Sequence, residues 1–132
     1  MTVSCSLIWN SAMGTLLTRK DGDILVVYFQ DVSIIDEARI TGLGDELLEL
    51  VKSENAKIVV NFENVSFMSS AMIGKLIHFS TSCKEERLKL RLCNINENVM
   101  QVFTLMNLQK VFNIDSDESD SVSKLKKSGW LG

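Results

Sequence analysis

The chain has 132 residues, 45% of them hydrophobic and 23% charged, with a formal net charge of −3. That length fits one domain with a sizeable core, and the composition excludes both a disordered acidic chain and a membrane protein. The acidic balance also argues against a nucleic-acid partner, because nucleic-acid binders carry a basic surface.

Residues 1–14 read as an N-terminal extension or an edge strand, with Leu7, Ile8 and Trp9 either lengthening the first strand or covering a sheet edge. The first clear signal is "TLLTRKDGDILVVYF", in which Asp21-Gly22 separates two apolar stretches. Asp-Gly supplies the positive φ of a tight turn, so Leu16–Arg19 and Ile24–Phe29 are expected to pair antiparallel. From Asp36 to about Ser53, the residues Ile40, Leu43, Leu47, Leu50 and Val51 recur at spacings of three and four, which predicts a helix. Gly42 and Gly44 weaken it by about 1 kcal/mol each relative to alanine. They point either to close packing against a neighbour or to a break near residue 44.

"KIVVNF" (57–62) reads as a short buried strand. "SSAMIGKLIHFSTSCKEE" predicts a second helix with Ile73, Leu76, Ile77, Ser80 and Cys83 on one face. "LKLRLCNI" alternates, with Leu88, Leu90 and Leu92 pointing one way and Lys89 and Arg91 the other. A third helix is expected from Asn94, which forms a capping-box-like pair with Glu97, and Val99, Val102, Phe103 and Met106 make its stripe. "KVFNI" (110–114) reads as a last strand. Residues 115–132 begin as an acidic, polar tail. They then suggest a short helix with Val122 and Leu125, a basic last turn at Lys124, Lys126 and Lys127, and Trp130 packed back or exposed. Strands joined by helices of this length run parallel. The expected fold is α/β: one domain over residues 15–114, an N-terminal hairpin followed by alternating helices and strands, and a mixed, mostly parallel sheet with helices packed on it.

Chemistry-bearing motifs are sparse. The longest apolar run, Ile24 to Phe29, falls far short of the roughly 20 residues of a spanning helix. The N-terminus lacks the pattern of a signal peptide, so a cytoplasmic location away from membranes is expected. Cys5, Cys83 and Cys93 are widely spaced without a CxxC pair, and His78 is the only histidine. Thiols in a reducing compartment are the reading, with no metal site expected. There is no GxGxxG, no GxxxxGK[ST] and no GxSxG. His78 lies two helical turns beyond Ser70, out of reach of a serine at the helix start. No catalytic residue, cofactor or enzymatic activity is expected. Ser69 and Ser70 sit where "FMSSAMIGKLI" turns from strand to helix. A serine there caps the helix, worth ~1 kcal/mol against alanine, and a phosphate is tolerated at the positive end of the helix dipole.

"KIVVNFENVSFMSSAMIGKLI" followed by "LKLRLCNINENVMQVFTLMNLQKVFNI" resembles the STAS domain of anti-sigma-factor antagonists. The family pattern runs from a buried strand through "V-x-[FY]-[IM]-D-S-S-G-L" and a helix to an "L-x-L-x" strand. A helix ending near "L-x-L-x-x-[VI]-F" and a strand follow. The likeness covers about residues 15–114 and is sharpest over 57–114. It implies a phosphorylatable interaction module that binds a serine-kinase anti-sigma factor and thereby frees a sigma factor. Position by position, the family aspartate falls on Ser69, the first serine on Ser70, the phospho-acceptor on Ala71, the glycine on Met72 and the leucine on Ile73. Alanine has no hydroxyl, so the usual acceptor is missing, and Ser69 or Ser70 are the candidates to take its place. A further family landmark, "G-x-L-D", is degenerate in "FQDVSIIDEA", where Asp31 or Asp36 stands for its aspartate. The partner-binding edge that the resemblance implies comprises Asp31, Asp36, Met68, Ser69, Ser70, Ala71, Met72 and Lys75.

Three functional readings stand in order. The first is an anti-sigma-factor antagonist that switches partners, controlled by serine phosphorylation at the start of the second helix. The second is a STAS scaffold or sensor subunit that assembles through its sheet edge or its Trp130 tail without phosphorylation, a homodimer being one such assembly. The third is a small ligand-binding α/β domain.

Overall fold

The computed structural model describes residues 16–52 and 56–131, with side chains as far as Lys126. The expectations for residues 1–14, including Leu7, Ile8, Trp9 and Cys5, and for the side chains of Lys127 and Trp130 lie outside the described residues.

Strands β1 (Leu16–Asp21) and β2 (Ile24–Phe29) form the expected antiparallel hairpin, in register from Leu16 opposite Phe29 to Asp21 opposite Ile24. The turn is one residue later than "DG" suggests. Gly22 and Asp23 make it, and Gly22 takes a φ of +64°, where a Cβ would be strained. After the short strand β3 (Ser33–Ile34), helix α1 (Glu37–Lys52) starts on Asp36. The Asp36 carboxylate accepts the Arg39 N–H at 3.0 Å, and its carbonyl accepts the Ile40 N–H at 2.8 Å. The helix runs unbroken through Gly42 and Gly44. A Cβ on Gly44 would lie 2.8 Å from Lys75 Cδ, so this glycine marks a close approach to the next helix.

Strand β4 (Lys57–Asn61) lies parallel to β2. Strand β5 (Phe67–Met68) pairs in parallel with β3, apart from the main sheet, and leads into α2 (Ser70–Glu85). Strand β6 (Lys89–Cys93) is parallel to β4, and β7 (Ile114–Asp115), reached through α3 (Glu97–Leu105), is parallel to β6. Helix α4 (Glu118–Leu131) closes the chain. The main sheet has the order β1-β2-β4-β6-β7, which is the mixed, mostly parallel sheet expected.

"ILVVYF" and "KIVVN" are continuous apolar runs because the strands they form are covered on both faces. On one face Leu25, Val27, Phe29, Ile58, Val60 and Leu92 pack against α1, α2 and α3. On the other, Ile24, Val26, Val59 and Cys93 meet Val122 and Leu125 of α4.

Two sequence-based boundaries move. Helix α3 is capped by Asn96, whose Oδ1 accepts the Val99 N–H at 2.9 Å, while Asn94 takes a left-handed φ of 57°. The expected strand over 110–114 shrinks to Ile114–Asp115. Val111 and Phe112 are held in a turn by hydrogen bonds to the Leu108 carbonyl, which places Phe112 against Phe103 in the core.

Candidate functional site

The loops that leave β2 and β4 run side by side and zip together as β3 and β5. Backbone hydrogen bonds from Ser66 and Phe67 to the Val32 carbonyl (2.7 and 3.2 Å), and from Ser69 to the Ile34 carbonyl (3.0 Å), fix one loop on the other. Two asparagines clamp the pair from outside. Asn64 Nδ2 donates to the Phe29 carbonyl at 3.0 Å, and Asn96 Nδ2 donates to the carbonyls of Val65 and Ser66, each at 3.1 Å. Asn96 thus caps α3 and holds the segment that delivers Phe67 to Ser69. These bonds fix the start of α2 on the two loops that leave the main sheet.

Ser69 is the N-cap of α2. Its backbone is extended, its Oγ accepts the Met72 N–H at 3.3 Å, and its carbonyl accepts the Ile73 N–H at 3.1 Å. Ser70 and Ala71 follow on the exposed side of the first turn, and Lys75 lies exposed one turn further. No acidic residue occupies that turn, so its N–H groups and the positive end of the helix dipole meet solvent without a carboxylate of their own. Met68 and Met72 are buried, at 1% and 0% exposure. They shape this surface from beneath and do not present side chains to a partner, which narrows the set expected from sequence.

Asp31 and Asp36 flank the same helix start with separate tasks. Asp36 caps α1, and Asp31 is gripped by Arg39 through two hydrogen bonds of 2.8 Å. The bond to Asp31 holds the Arg39 guanidinium more firmly charged than usual.

Sequence reasoning missed the apolar character of this end. Val32 and Ile35 are 60% exposed and Phe67 is 49% exposed, all three on or beside the β3–β5 pair. Three large apolar side chains left in water around one projecting helix start form a patch of the kind that marks interaction surfaces. The available signal was the doublet Ile34-Ile35, where a two-residue strand buries the first and must expose the second.

His78 is exposed, beside an open groove of about 600 Å³ that also meets Lys52, Ser82 and Glu85 between α1 and α2. The groove involves none of the residues at the start of α2. Cys83 and Cys93 are free and buried, and burial pushes both thiols up to about 12. Among the described residues no helix is long and apolar enough to cross a membrane, and no three His, Cys, Asp or Glu side chains are placed to hold a metal ion.

A mixed sheet with the order β1-β2-β4-β6-β7, presenting one helix start on a zipped pair of loops, defines an α/β domain whose conspicuous feature is a surface and not a pocket. The family model of the STAS domain matches residues 15–121, and the chain belongs to that family. Solved structures agree on the fold. The protein TM1081 of Thermotoga maritima superposes with a TM-score of 0.75 at 16% identity, over 86% of this chain and 97% of that one. A variant of RsbS from Moorella thermoacetica gives 0.73 at 19% identity, over 86% and 97%. SpoIIAA in its unphosphorylated form gives 0.70 at 16% identity, over 85% and 96%. No curated sequence matches the chain.

Proposed function

We propose that this chain is a protein-interaction module of the anti-sigma-factor antagonist type, which binds a serine-kinase-like anti-sigma factor through the start of α2. One observation carries the reading. Ser70 and Ala71 project from a helix start that is fixed by the β3–β5 pair and ringed by exposed Val32, Ile35 and Phe67. Structural neighbours that are anti-sigma factor antagonists, SpoIIAA among them, support the choice of partner class. In this reading Asp31, Asp36 and Lys75 form the charged rim, and Ser69, Ser70 and Ala71 the centre. Met68 and Met72 hold the centre in place from below. The chain acts in the cytoplasm by binding and not by catalysis.

The hydroxyl best placed to accept phosphate is that of Ser70, which is exposed, while Ser69 Oγ is engaged as the cap. A phosphate on Ser70 would sit at the positive end of the helix and change the docking surface without breaking the fold. The decisive experiment captures kinase-fold proteins from the native cell on the purified chain, then incubates the captured partner with ATP and maps the modified residues. Capture lost in Phe67→Ser and phosphate on Ser70 are the expected results. Capture undiminished by Phe67→Ser rejects the surface. Phosphate on neither Ser69 nor Ser70 rejects the switch and favours the second reading, a scaffold that binds without phosphorylation, for which Ala71 at the family's acceptor position is the supporting observation.

A further inference from the structure

Strand β6 turns the backbone of its odd-numbered residues toward β4. The Lys89 N–H donates to the Ala56 carbonyl at 2.9 Å, and the Cys93 carbonyl accepts the Phe62 N–H at 3.0 Å. Its even-numbered residues therefore aim their N–H and C=O groups at the opposite edge. There the Leu92 N–H donates to the Asn113 carbonyl at 2.8 Å, but β7 begins at Ile114 and pairs with Leu92 and Cys93. Beside Leu90, where a longer β7 would lie, the sheet opens into a cleft of about 250 Å³. The Leu90 N–H and C=O both face it.

The cleft lies in the line of β7, between two covering layers. Cys83 and Val111 border it on the α1–α3 side, and Leu125 of α4 borders it on the other. Charge selects no ligand here. Lys84, Lys89 and Arg91 line the cleft, but Lys89 already has an interaction partner and Arg91 is held by Asp115. Glu85 and Glu86 follow Lys84 at the carbonyl end of α2, where the Cys83 carbonyl accepts the Leu88 N–H at 2.7 Å. What the cleft lacks is a strand. One residue offers a donor and an acceptor to a neighbouring chain, which would lie about 4.8 Å away. An extended peptide supplies both bonds, and its alternate side chains fall against Cys83 and Val111 or against Leu125. A second copy of this chain does not suit the place. Its recessed Leu90 edge cannot reach the same edge of another molecule. Its opposite edge strand, β1, would join head to tail, a contact that builds open chains and not a dimer.

We propose that this cleft docks a short, neutral, apolar segment of another protein in extended form, hydrogen-bonded to Leu90 as a continuation of β7. The site shares no residue with the start of α2 and does not depend on the partner proposed there.

Hydrogen exchange and NMR titration of the ¹⁵N-labelled chain test this, with the capped tripeptide acetyl-Ala-Val-Ala-methylamide as probe. In the free protein the Leu90 amide should exchange about tenfold faster or more than the Leu92 amide, which is bonded to Asn113. Added peptide should slow Leu90 and give saturable shifts at Leu90, Arg91 and Asn113, with Ser70 and Ala71 unmoved. The same peptide with its backbone nitrogens methylated loses its donors and should bind about tenfold more weakly. Val111→Trp, whose larger side chain fills the cleft and whose fold a thermal melt can check, should also weaken binding by about tenfold. The proposal is overturned by a Leu90 amide as protected as that of Leu92, by shifts that do not saturate, or by equal binding of the two peptides. A folded Val111→Trp variant that binds like the parent also overturns it. So does the appearance of the same shifts on raising the protein concentration alone, which would make the occupant a second copy.

Discussion

On one face of the main sheet, Val27, Val60 and Leu92 meet Leu43, Leu47, Ile73, Leu76 and Phe79 of the helices above them, with apolar surface on both sides. On the other face a small apolar cluster of Ile24, Val26, Val59, Cys93, Val122 and Leu125 is bordered by two acidic hubs. Glu118 accepts the Tyr28 hydroxyl at 2.5 Å and Asn61 Nδ2 at 3.0 Å, and pairs with Arg19. Asp115 accepts Arg91 at 2.6 and 3.0 Å, Ser121 at 2.6 Å and Lys124 at 2.8 Å. Apolar packing is strong but non-directional, whereas hydrogen-bonded charges position a helix with little buried apolar area of their own. The α1–α3 layer therefore supplies most of the stability and carries the candidate site. Helix α4 is located by directional contacts and is the element that should release first.

The largest effect tests the first half of that contrast. Phe79→Ala empties a fully buried position in the α1–α3 layer and should cost about 3–5 kcal/mol, read from the midpoint of urea unfolding. A loss below about 1 kcal/mol would mean that this layer does not dominate.

Next comes the Asp115 hub. Burial alone would raise this carboxyl, but the hydrogen bonds from Arg91, Lys124 and Ser121 outweigh it and hold the group well below the usual carboxylate range. Asp115→Asn should cost on the order of 2 kcal/mol at neutral pH, less than a fully buried pair because Arg91 and Lys124 reach water. A carboxyl whose folded pKa is depressed contributes its full stability above its unfolded pKa of about 3.9 and loses it as pH falls toward the folded value. The gap between parent and variant should stay constant from neutral pH down to about 5 and shrink below about 4. A gap that widens on acidification would reverse the assigned sign.

Two thiols report on the two faces without perturbing either. Cys83 lies in the α1–α3 core and Cys93 beneath α4, and both are held protonated by burial. In a Cys5→Ser background, Leu125→Ala should accelerate alkylation of Cys93 in the native state while leaving Cys83 at its parent rate. Equal acceleration of both would mean that the layers open together and that α4 has no separate release.

The parts of this contrast that were legible in sequence are those written locally. The hairpin at Gly22, the α1 stripe and the strand-to-helix switch at Ser69 each follow from neighbours within a turn or two. The α4 face was legible only in its apolar part, Val122 and Leu125, because "DSDESD" looks like a solvated linker until Glu118 is seen to meet Arg19, 99 residues away, and Asp115 to meet Arg91. Asn94 reads as the cap because Glu97 follows it by three residues, and the sequence does not show that Asn94 turns left-handed or that Asn96 is held by the carbonyls of Val65 and Ser66 while it caps Val99. The apolar patch of the candidate site escaped for a related reason. Nothing local in the sequence shows that Phe67 lies outward in β5, or that β3 ends at Ile34 and leaves Ile35, just past it, exposed.

The smallest effect concerns that site. The resemblance drawn from sequence puts Ser69 at the family's aspartate, and both residues are strong N-caps. The structure shows the cap bond itself, Ser69 Oγ to the Met72 N–H at 3.3 Å. Ser69→Ala should therefore cost about 1 kcal/mol. Ser69→Asp should cost nothing or stabilise by a few tenths of a kcal/mol, because it keeps the cap and adds a negative charge at the positive helix end. Calorimetric melting of the two variants side by side measures the difference. If Ser69→Asp melts as low as Ser69→Ala, the cap bond is not what holds this helix start, and its placement must come from the β3–β5 pairing and Asn96 alone. If the two separate in the expected order, the cap survives exchange of the residue that makes it, and Ser69→Asp becomes a stable background in which to test whether Ser70 alone accepts phosphate from the proposed kinase partner.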